Sequence, residues 1–225
     1  MKNVIASLLL LLALPADTQA QTQPEYRLEI GGGVGAVTYL GDFNSNLFKD
    51  IQPMGSLLAK YRFNPRMALA MNVGYGQLKG SSKGVNTYYP ELDDYSFSAS
   101  LVNVDMRFEY NFWPYGTGQE YRGAKRVTPY IYIGGGVTIA KPESTEVAFN
   151  LPLGGGVKYK MADRLNLALE WAIHFTISDM LDGVKDPYGI QSSGLFKNTD
   201  CYSQLRVSVT YDLWEKCRTC HNDRD

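Results

Sequence analysis

The chain has 225 residues, and its 22 Lys and Arg nearly balance its 23 Asp and Glu, which leaves a formal net charge of −1. That balance provides no basic field for nucleic acid, and the two His and three Cys exclude a disulfide-dense scaffold and any metal site that needs several His ligands. The 16 Tyr, nine Phe and 22 Gly favour a single β-rich domain.

The first 20 residues have the pattern of a secretory signal peptide. Lys2 supplies a positive charge, residues 4–14 form an apolar run, and Thr18-Gln19-Ala20 offers a small-residue cleavage site. The run is shorter than the roughly 18 residues that a membrane-spanning helix needs. We therefore expect residues 1–20 to be a signal peptide, residues 21–214 one exported domain and residues 215–225 a periplasmic tail.

Alternation of apolar and polar residues is the strongest signal in the exported part of the chain, and it predicts eight strands. In chain order they cover approximately residues 26–40, 54–63, 67–75, 98–112, 127–140, 148–161, 165–177 and 205–213. No stretch shows a convincing helical period.

The connections between the predicted strands alternate in length. Asn64-Pro65-Arg66 and Ala162-Asp163-Arg164 are tight turns, and longer polar segments follow the other strands at residues 41–53, 79–94, 141–147 and 178–200. This pattern predicts an all-β fold, an eight-stranded antiparallel up-and-down barrel with short turns at one rim and long loops at the other. Residues 113–126 are an exception, because they are long although they lie on the short-turn side.

A Gly-Gly-Gly motif occurs inside three strands, at residues 31–33, 134–136 and 154–156. Glycine normally weakens a strand, but the interior of an eight-stranded barrel is only wide enough for side chains to fill it. We interpret the glycines as positions that make room for bulky inward neighbours such as Tyr130 and Tyr132. The first motif also matches the spacing of a dinucleotide fingerprint, but no helix follows to receive a pyrophosphate.

The aromatic residues indicate what the apolar face of the barrel meets. Alternation alone does not distinguish a secreted lipocalin-like barrel, apolar inside, from a membrane barrel whose apolar face meets lipid. One aromatic group lies near the short turns (Tyr110, Phe112, Trp113, Tyr159, Tyr211 and Trp214) and another near the opposite rim (Tyr75, Phe97, Phe149 and Phe175). Two such belts fit the two interfaces of a bilayer, so we predict a transmembrane barrel in the cell outer membrane.

Five segments resemble a known family along nearly the whole exported chain. They are Tyr39-Leu40-Gly41-Asp42-Phe43, Tyr61-Arg62-Phe63-Asn64-Pro65-Arg66, Asn111-Phe112-Trp113-Pro114-Tyr115, Thr128-Pro129-Tyr130-Ile131-Tyr132 and Asp179-Met180-Leu181-Asp182-Gly183-Val184. They resemble the PorG-like outer-membrane barrels of Bacteroidota, themselves similar to the transmembrane domain of OmpA. The resemblance implies a non-enzymatic component of the type IX protein secretion system that contacts a periplasmic ring of a lipoprotein and its partner. The alternative is an OmpA-like or OmpX-like barrel that stabilises the envelope or adheres to surfaces.

Six charged residues fall on the inward faces of the predicted strands. They are Asp105, Arg107 and Glu109 on the fourth strand, Glu170 on the seventh, and Arg206 and Asp212 on the eighth. Because buried charges must be paired, we predict an ion-pair network that fills the lumen. A gated ion path is the weaker alternative, since so narrow a barrel has little room for one.

Two further patterns contain residue types that are used in chemistry. His174, Thr176 and Ser178, with Asp179 and Asp182 nearby, could form a nucleophile–base group at the loop rim, which would make the protein an enzyme that modifies acyl chains. Polar side chains that fill a lumen explain these residues better. The segment Cys217-Arg218-Thr219-Cys220-His221 matches a haem-attachment pattern. Only four residues follow it, so we expect a disulfide or a thiol pair that engages a partner, and neither a cofactor nor a metal.

The sequence places a partner-binding surface on the periplasmic rim. Residues 113–126 are long for a periplasmic turn, and residues 214–225 continue beyond the last strand with mixed charge, which suits a polar docking rim. The residues expected to bind are Trp113, Tyr115, Glu120, Arg122, Trp214, Cys217 and Cys220. A tolerant loop and a frayed terminus are the alternative. The expected partners are the periplasmic ring proteins and outer-membrane lipids.

Overall fold

The computed structural model describes residues 26–40, 50–81, 96–116, 124–141, 145–177 and 200–215. They form eight strands: β1 (Tyr26–Leu40), β2 (Gln52–Asn64), β3 (Met67–Ser81), β4 (Ser96–Asn111), β5 (Val127–Lys141), β6 (Glu146–Ala162), β7 (Leu165–Thr176) and β8 (Cys201–Glu215). Each strand pairs antiparallel with the next, and β8 pairs with β1, so the sheet closes into a barrel. The predicted fold class is confirmed. In these described ranges, no helix is long and apolar enough to cross a membrane.

The strands agree with the alternation in the sequence, and two of them extend at least four residues further than predicted. β3 continues to Ser81, and β8 begins at Cys201 instead of residue 205. The extra part of β3 contains Gly76 and Gly80, whose missing side chains add nothing to an apolar pattern. Backbone pairing with β4 nevertheless continues through them to the end of the strand.

The two rims of the barrel differ in their connections. We call one rim of the barrel the turn end. It is the rim at which β1 begins and β8 ends, and strands are joined there by the tight turns after β2 and β6 and by the connection at residues 112–126. Residues 41–51, 82–95, 142–145 and 177–200 connect strands at the other rim, the loop end. In the turn after β2, the side-chain oxygen of Asn64 accepts hydrogen bonds from the backbone N–H groups of Arg66 and Met67, both at 2.8 Å.

The two faces of the sheet have opposite chemistry. Outward side chains are mainly apolar and exposed, among them Ile30, Leu57, Val73, Met106, Ile131, Leu153, Leu169 and Val207. Inward positions hold glycine or buried side chains, many of them polar or charged. Most of the predicted aromatic belts face outward, but Phe97 does not. Phe97 faces the lumen like Ala99 and Leu101, and it is 8% exposed. It fills the space opposite Gly80, because a Cβ added to Gly80 would lie 2.5 Å from the Phe97 ring.

The three glycine motifs follow the same parity. The first and third glycines of each motif face the lumen, and the middle one faces outward. A Cβ on Gly154 would lie 2.7 Å from the ring of Tyr132, so this glycine makes room for that tyrosine as predicted. Gly156 lies opposite Tyr130 in the strand register, and the atoms nearest to a Cβ on it would belong to the backbone of Leu169 and Glu170.

Candidate functional site

The lumen contains a dense group of buried charges centred on Glu170 of β7. The Glu170 carboxylate pairs with Arg107 of β4 at 3.1 Å, with Lys60 of β2 at 3.6 Å, and with Arg206 of β8. One carboxylate therefore joins β7 to its neighbour β8 and, across the lumen, to β2 and β4. Glu109 accepts from Lys158 at 2.6 Å and lies 3.3 Å from Lys60, so Lys60 links the two acids.

A second layer of charge lies nearer the turn end and is centred on Asp212 of β8. Its carboxylate pairs with Arg62 of β2 at 3.0 Å and with Lys160 of β6. Asn166 of β7 donates its amide N–H to the same carboxylate at 2.9 Å. Arg62 also pairs with Glu29 of β1 at 2.7 Å, so the layer connects five strands.

These two layers form what we call the charged half of the lumen. It comprises Glu29, Lys60, Arg62, Arg107, Glu109, Lys158, Lys160, Glu170, Arg206 and Asp212, all of them buried. Sequence reasoning singled out five of the ten and missed those on β1, β2 and β6. The sequence does contain a signal for the two lysines of β6, since Lys158 and Lys160 alternate with the outward residues Val157, Tyr159 and Met161.

Asp105 corrects the predicted network in one respect. It is buried in the lumen as expected, but the partners of its carboxylate in the described residues are amides and not cations. Asn72 and Asn103 donate to it at 2.7 and 2.8 Å. Arg107, two residues further along β4, reaches towards Glu170 and Glu109 instead. Neighbouring inward positions on one strand therefore have separate partners.

Two tyrosines fill the gaps between the charges. The Arg107 guanidinium lies 4.4 Å from the centroid of the Tyr132 ring, and the Lys158 ammonium lies 4.1 Å from that of Tyr130. The Tyr130 hydroxyl donates to Glu170. Each ring thus provides both volume and a favourable face for a cation, which suits a narrow lumen that must be filled.

The loop end of the lumen has a different composition, and we call it the apolar half. It consists of Val37, Tyr39, Met54, Leu78, Phe97, Ala99, Leu101, Ala140, Ala148 and Tyr202, all of them buried. Its tyrosine hydroxyls have partners, since Tyr39 donates to Asp200 at 2.5 Å and Tyr202 lies 2.8 Å from the Thr138 hydroxyl. Apolar side chains and a few satisfied hydroxyls therefore fill this part of the lumen.

His174 lies beside the apolar half. Its ring stacks on Tyr202 with centroids 4.5 Å apart and an interplanar angle of 12°, and the residue is 2% exposed. It faces the filled lumen and not the outer surface. Of its predicted neighbours, Thr176 is buried and hydrogen-bonds the Asp200 carbonyl, whereas Ser178, Asp179 and Asp182 lie outside the described residues.

The turn end differs from the predicted partner-binding rim at Tyr115. This residue is 4% exposed because it folds back into the mouth of the barrel, where it donates to Asn166 at 2.9 Å and lies under the Arg62 guanidinium. Burial raises the pKa of its hydroxyl above the ordinary value. Tyr115 therefore closes the charged half and does not present a side chain to a partner.

Trp113 and Trp214 do reach the surface at the turn end. They are 42% and 67% exposed, and Lys125 lies 4.5 Å from the Trp113 ring. The other residues predicted for this rim, Glu120, Arg122, Cys217 and Cys220, lie outside the described residues. In the part of the chain that the structure describes, no group of three or more His, Cys, Asp or Glu side chains could hold a metal ion.

A closed barrel with an apolar outer band, aromatic residues at its rims and a polar interior is the architecture of a transmembrane β-barrel. The chain belongs to the family described as outer membrane protein beta-barrel domain, whose family model matches residues 6–212. Its location is therefore the outer membrane, as the sequence predicted.

A solved structure supports the same fold. Neisserial surface protein A is similar with a TM-score of 0.53 and 14% sequence identity, over 83% of this chain and 97% of that one. The outer membrane protein OprG of Pseudomonas aeruginosa has a TM-score of 0.48 and 13% identity, over 85% of this chain and 97% of its own. No curated protein matches the chain.

Proposed function

We propose that this protein is a non-conducting outer-membrane anchor of the type IX secretion system, whose turn end holds the periplasmic ring of a lipoprotein and its partner. The observation that carries the proposal is the filled lumen. Ten paired charges occupy one half and ten packed side chains the other. A barrel filled along its length acts through its rims and not through its interior.

The filled lumen favours an anchor over a conduit. Barrels that leave an aqueous channel have about 16–18 strands, whereas this one has eight. Opening the charged half would separate Glu170 from Arg107 and Arg206, and each buried charge without a partner costs several kcal/mol. Folded cargo has no path through such a structure.

The same packing favours a non-enzymatic role. A barrel that modifies acyl chains needs its base within reach of a lipid substrate, since proton transfer requires hydrogen-bond contact. His174 is stacked on Tyr202 inside the lumen and has almost no exposed surface. It is therefore better explained as a packing residue of the lumen than as a general base.

The choice of partner rests on the resemblance to PorG-like barrels, and the turn end offers a surface that suits it. Trp113 and Trp214 are exposed there, and exposed aromatic anchors are favoured at protein interfaces. Residues 215–225 follow the last outward residues of β8 and supply the mixed charge of a polar rim.

Deletion of the protein should abolish export of type IX substrates, which tests the proposed role directly. Truncation after Trp214 should leave a folded, heat-modifiable barrel but prevent recovery of the ring proteins in a pull-down. The Cys217→Ser/Cys220→Ser variant keeps the tail and removes only the thiols, so it shows whether the thiols themselves are needed for this recovery. Normal export in the deletion strain would instead support an OmpA-like or OmpX-like envelope barrel.

The proposal also requires the turn end to face the periplasm, as short turns do in bacterial outer-membrane barrels. A cysteine introduced at Ser82, between β3 and β4, should react with an impermeant maleimide on intact cells. The same cysteine at Asp163, in the turn between β6 and β7, should react only after lysis. The reverse pattern would place the turn end outside and exclude a periplasmic partner there.

A further inference from the structure

An apolar groove of about 620 Å³ runs over the outer surface of β4 to β7. Its walls are outward side chains, chiefly Phe108, Tyr110, Ile131, Ile133, Trp171 and Ile173. Its floor is Gly155, an outward position without a side chain that lies between Ile131 on β5 and Trp171 on β7 in the strand register. The groove therefore exists because one glycine interrupts a continuous layer of large apolar residues.

Two cations lie where β5 meets the turn end. Lys125 and Arg126 immediately precede β5 and are exposed, and β5 carries Ile131 and Ile133 into the groove. Lys125 also contacts the Trp113 ring, which holds its ammonium group at the rim. A basic site thus lies at the end of the same strand that lines the groove.

The distance between the cations and the groove matches one leaflet of a bilayer. From Arg126 to Ile133 there are seven residues, or roughly 23 Å of strand at about 3.3 Å per residue. With the strand tilt of about 35–45° that such barrels have, the vertical distance is roughly 16–19 Å. One leaflet contributes about half of the roughly 30 Å hydrocarbon core.

We propose that the groove and this basic pair form a binding site for one anionic glycerophospholipid of the leaflet at the turn end. Its acyl chain lies over Gly155 against Trp171, and its phosphate meets Lys125 and Arg126. The surface is in the membrane, so hydrocarbon is the available apolar ligand, and the two cations select a negative headgroup. The proposal rests on the outer-membrane location and is independent of the role in secretion.

Trp171 provides the probe for this site, because it is one of only three tryptophans and lines the groove. The barrel carries Trp113→Phe and Trp214→Phe, which leave Trp171 as the only tryptophan and keep an aromatic ring beside Lys125. It is reconstituted in phosphatidylethanolamine vesicles. Small fractions of brominated-chain phosphatidylglycerol or brominated-chain phosphatidylethanolamine are then added. We expect phosphatidylglycerol to quench Trp171 more strongly at equal mole fraction. Equal quenching by the two lipids would overturn the proposal.

Charge variants test the headgroup half of the site. Arg126→Gln should lower the preference for phosphatidylglycerol about fivefold, and Lys125→Gln/Arg126→Gln should lower it further. Arg27→Gln is the matched control, since Arg27 is also exposed at the turn end but lies on β1, outside the groove. An undiminished preference in the double variant would show that these cations do not bind the headgroup.

A size variant tests the acyl-chain half. Ile133→Phe enlarges a groove wall and should reduce the excess quenching, whereas Ile30→Phe makes the same change at an outward position on β1 and should not. Heat-modifiable mobility verifies that each variant is folded. If Trp171 is shielded from both brominated lipids and the protein cross-links as a dimer, a second copy occupies the groove and the lipid proposal fails.

Discussion

The charged half and the apolar half of the lumen are filled by different kinds of side chain. In the charged half, long side chains reach across the lumen and join strands that are not neighbours, as Glu170 of β7 does with Arg107 of β4. In the apolar half, shorter side chains such as Leu101 and Ala140 pack with two partnered tyrosines. The charged half lies at the rim with short turns and the apolar half at the rim with long loops.

This difference indicates where substitutions should lower the stability of the barrel most. Lipid tails are as apolar as the outward side chains, so packing at the outer surface adds little to the stability of the barrel. Side-chain contacts that stabilise the arrangement of the strands are therefore expected mainly in the lumen. Buried ion pairs in the lumen depend on one another, because each removed partner leaves another charge buried. Apolar contacts fail more locally, in proportion to the volume removed.

The largest effect is expected at the centre of the charged half. Glu170→Ala leaves Arg107, Arg206 and Lys60 without their shared acid and should lower the free energy of unfolding by roughly 3–5 kcal/mol. The urea concentration at which heat-modifiable mobility is lost measures this change. Arg107→Ala should cost less, since both of its acids keep other cations. A smaller effect of Glu170→Ala than of Arg107→Ala would contradict the arrangement.

The apolar half should respond to volume alone. Leu101→Ala should destabilise the barrel by about 3 kcal/mol through the cavity that it leaves among buried side chains. Leu57→Ala, at an outward position that is 70% exposed, is the control and should cost less than about 1 kcal/mol. Both are measured by urea unfolding in the same lipid. Equal losses would mean that Leu101 is not tightly packed.

The boundary between lumen and lipid can be tested with two glycines. Gly154→Ala places a Cβ 2.7 Å from the Tyr132 ring and 2.5 Å from a backbone oxygen, so overpacking should cost about 1–3 kcal/mol. Gly135→Ala, with nothing within 4 Å, should change stability by less than about 0.5 kcal/mol. The same urea assay compares them, and similar losses at both positions would show that Gly135 is also packed.

The smallest effect is expected where Tyr115 closes the charged half. Tyr115→Phe removes the hydrogen bond to Asn166 but keeps the ring under Arg62, and should cost about 0.5–1.5 kcal/mol. Tyr159→Phe, at an outward position on β6, is the control for loss of a hydroxyl outside the lumen. If the two variants unfold at the same urea concentration, the Asn166 bond contributes nothing to stability.

The sequence by itself determined the strands and the face on which each residue lies. A period of two is a local property of a pleated backbone, so residues such as Arg107, Glu109 and Arg206 could be assigned to the lumen without knowing what they contact. The same parity along β6 places Lys158 and Lys160 in the lumen. It also decides that Phe97 points inward, although it looks like part of an aromatic belt.

Only the tertiary structure decided which inward residues meet. Glu29 accepts from Thr210, and Lys158 pairs with Glu109, because closure of the barrel and the stagger of its strands bring distant positions to one level. That stagger is a property of the whole sheet and leaves no local pattern in the chain. Tyr115 illustrates the same limit, since its place in a long turn predicts exposure, whereas the open mouth beneath it lets the ring fold inward and bond to Asn166.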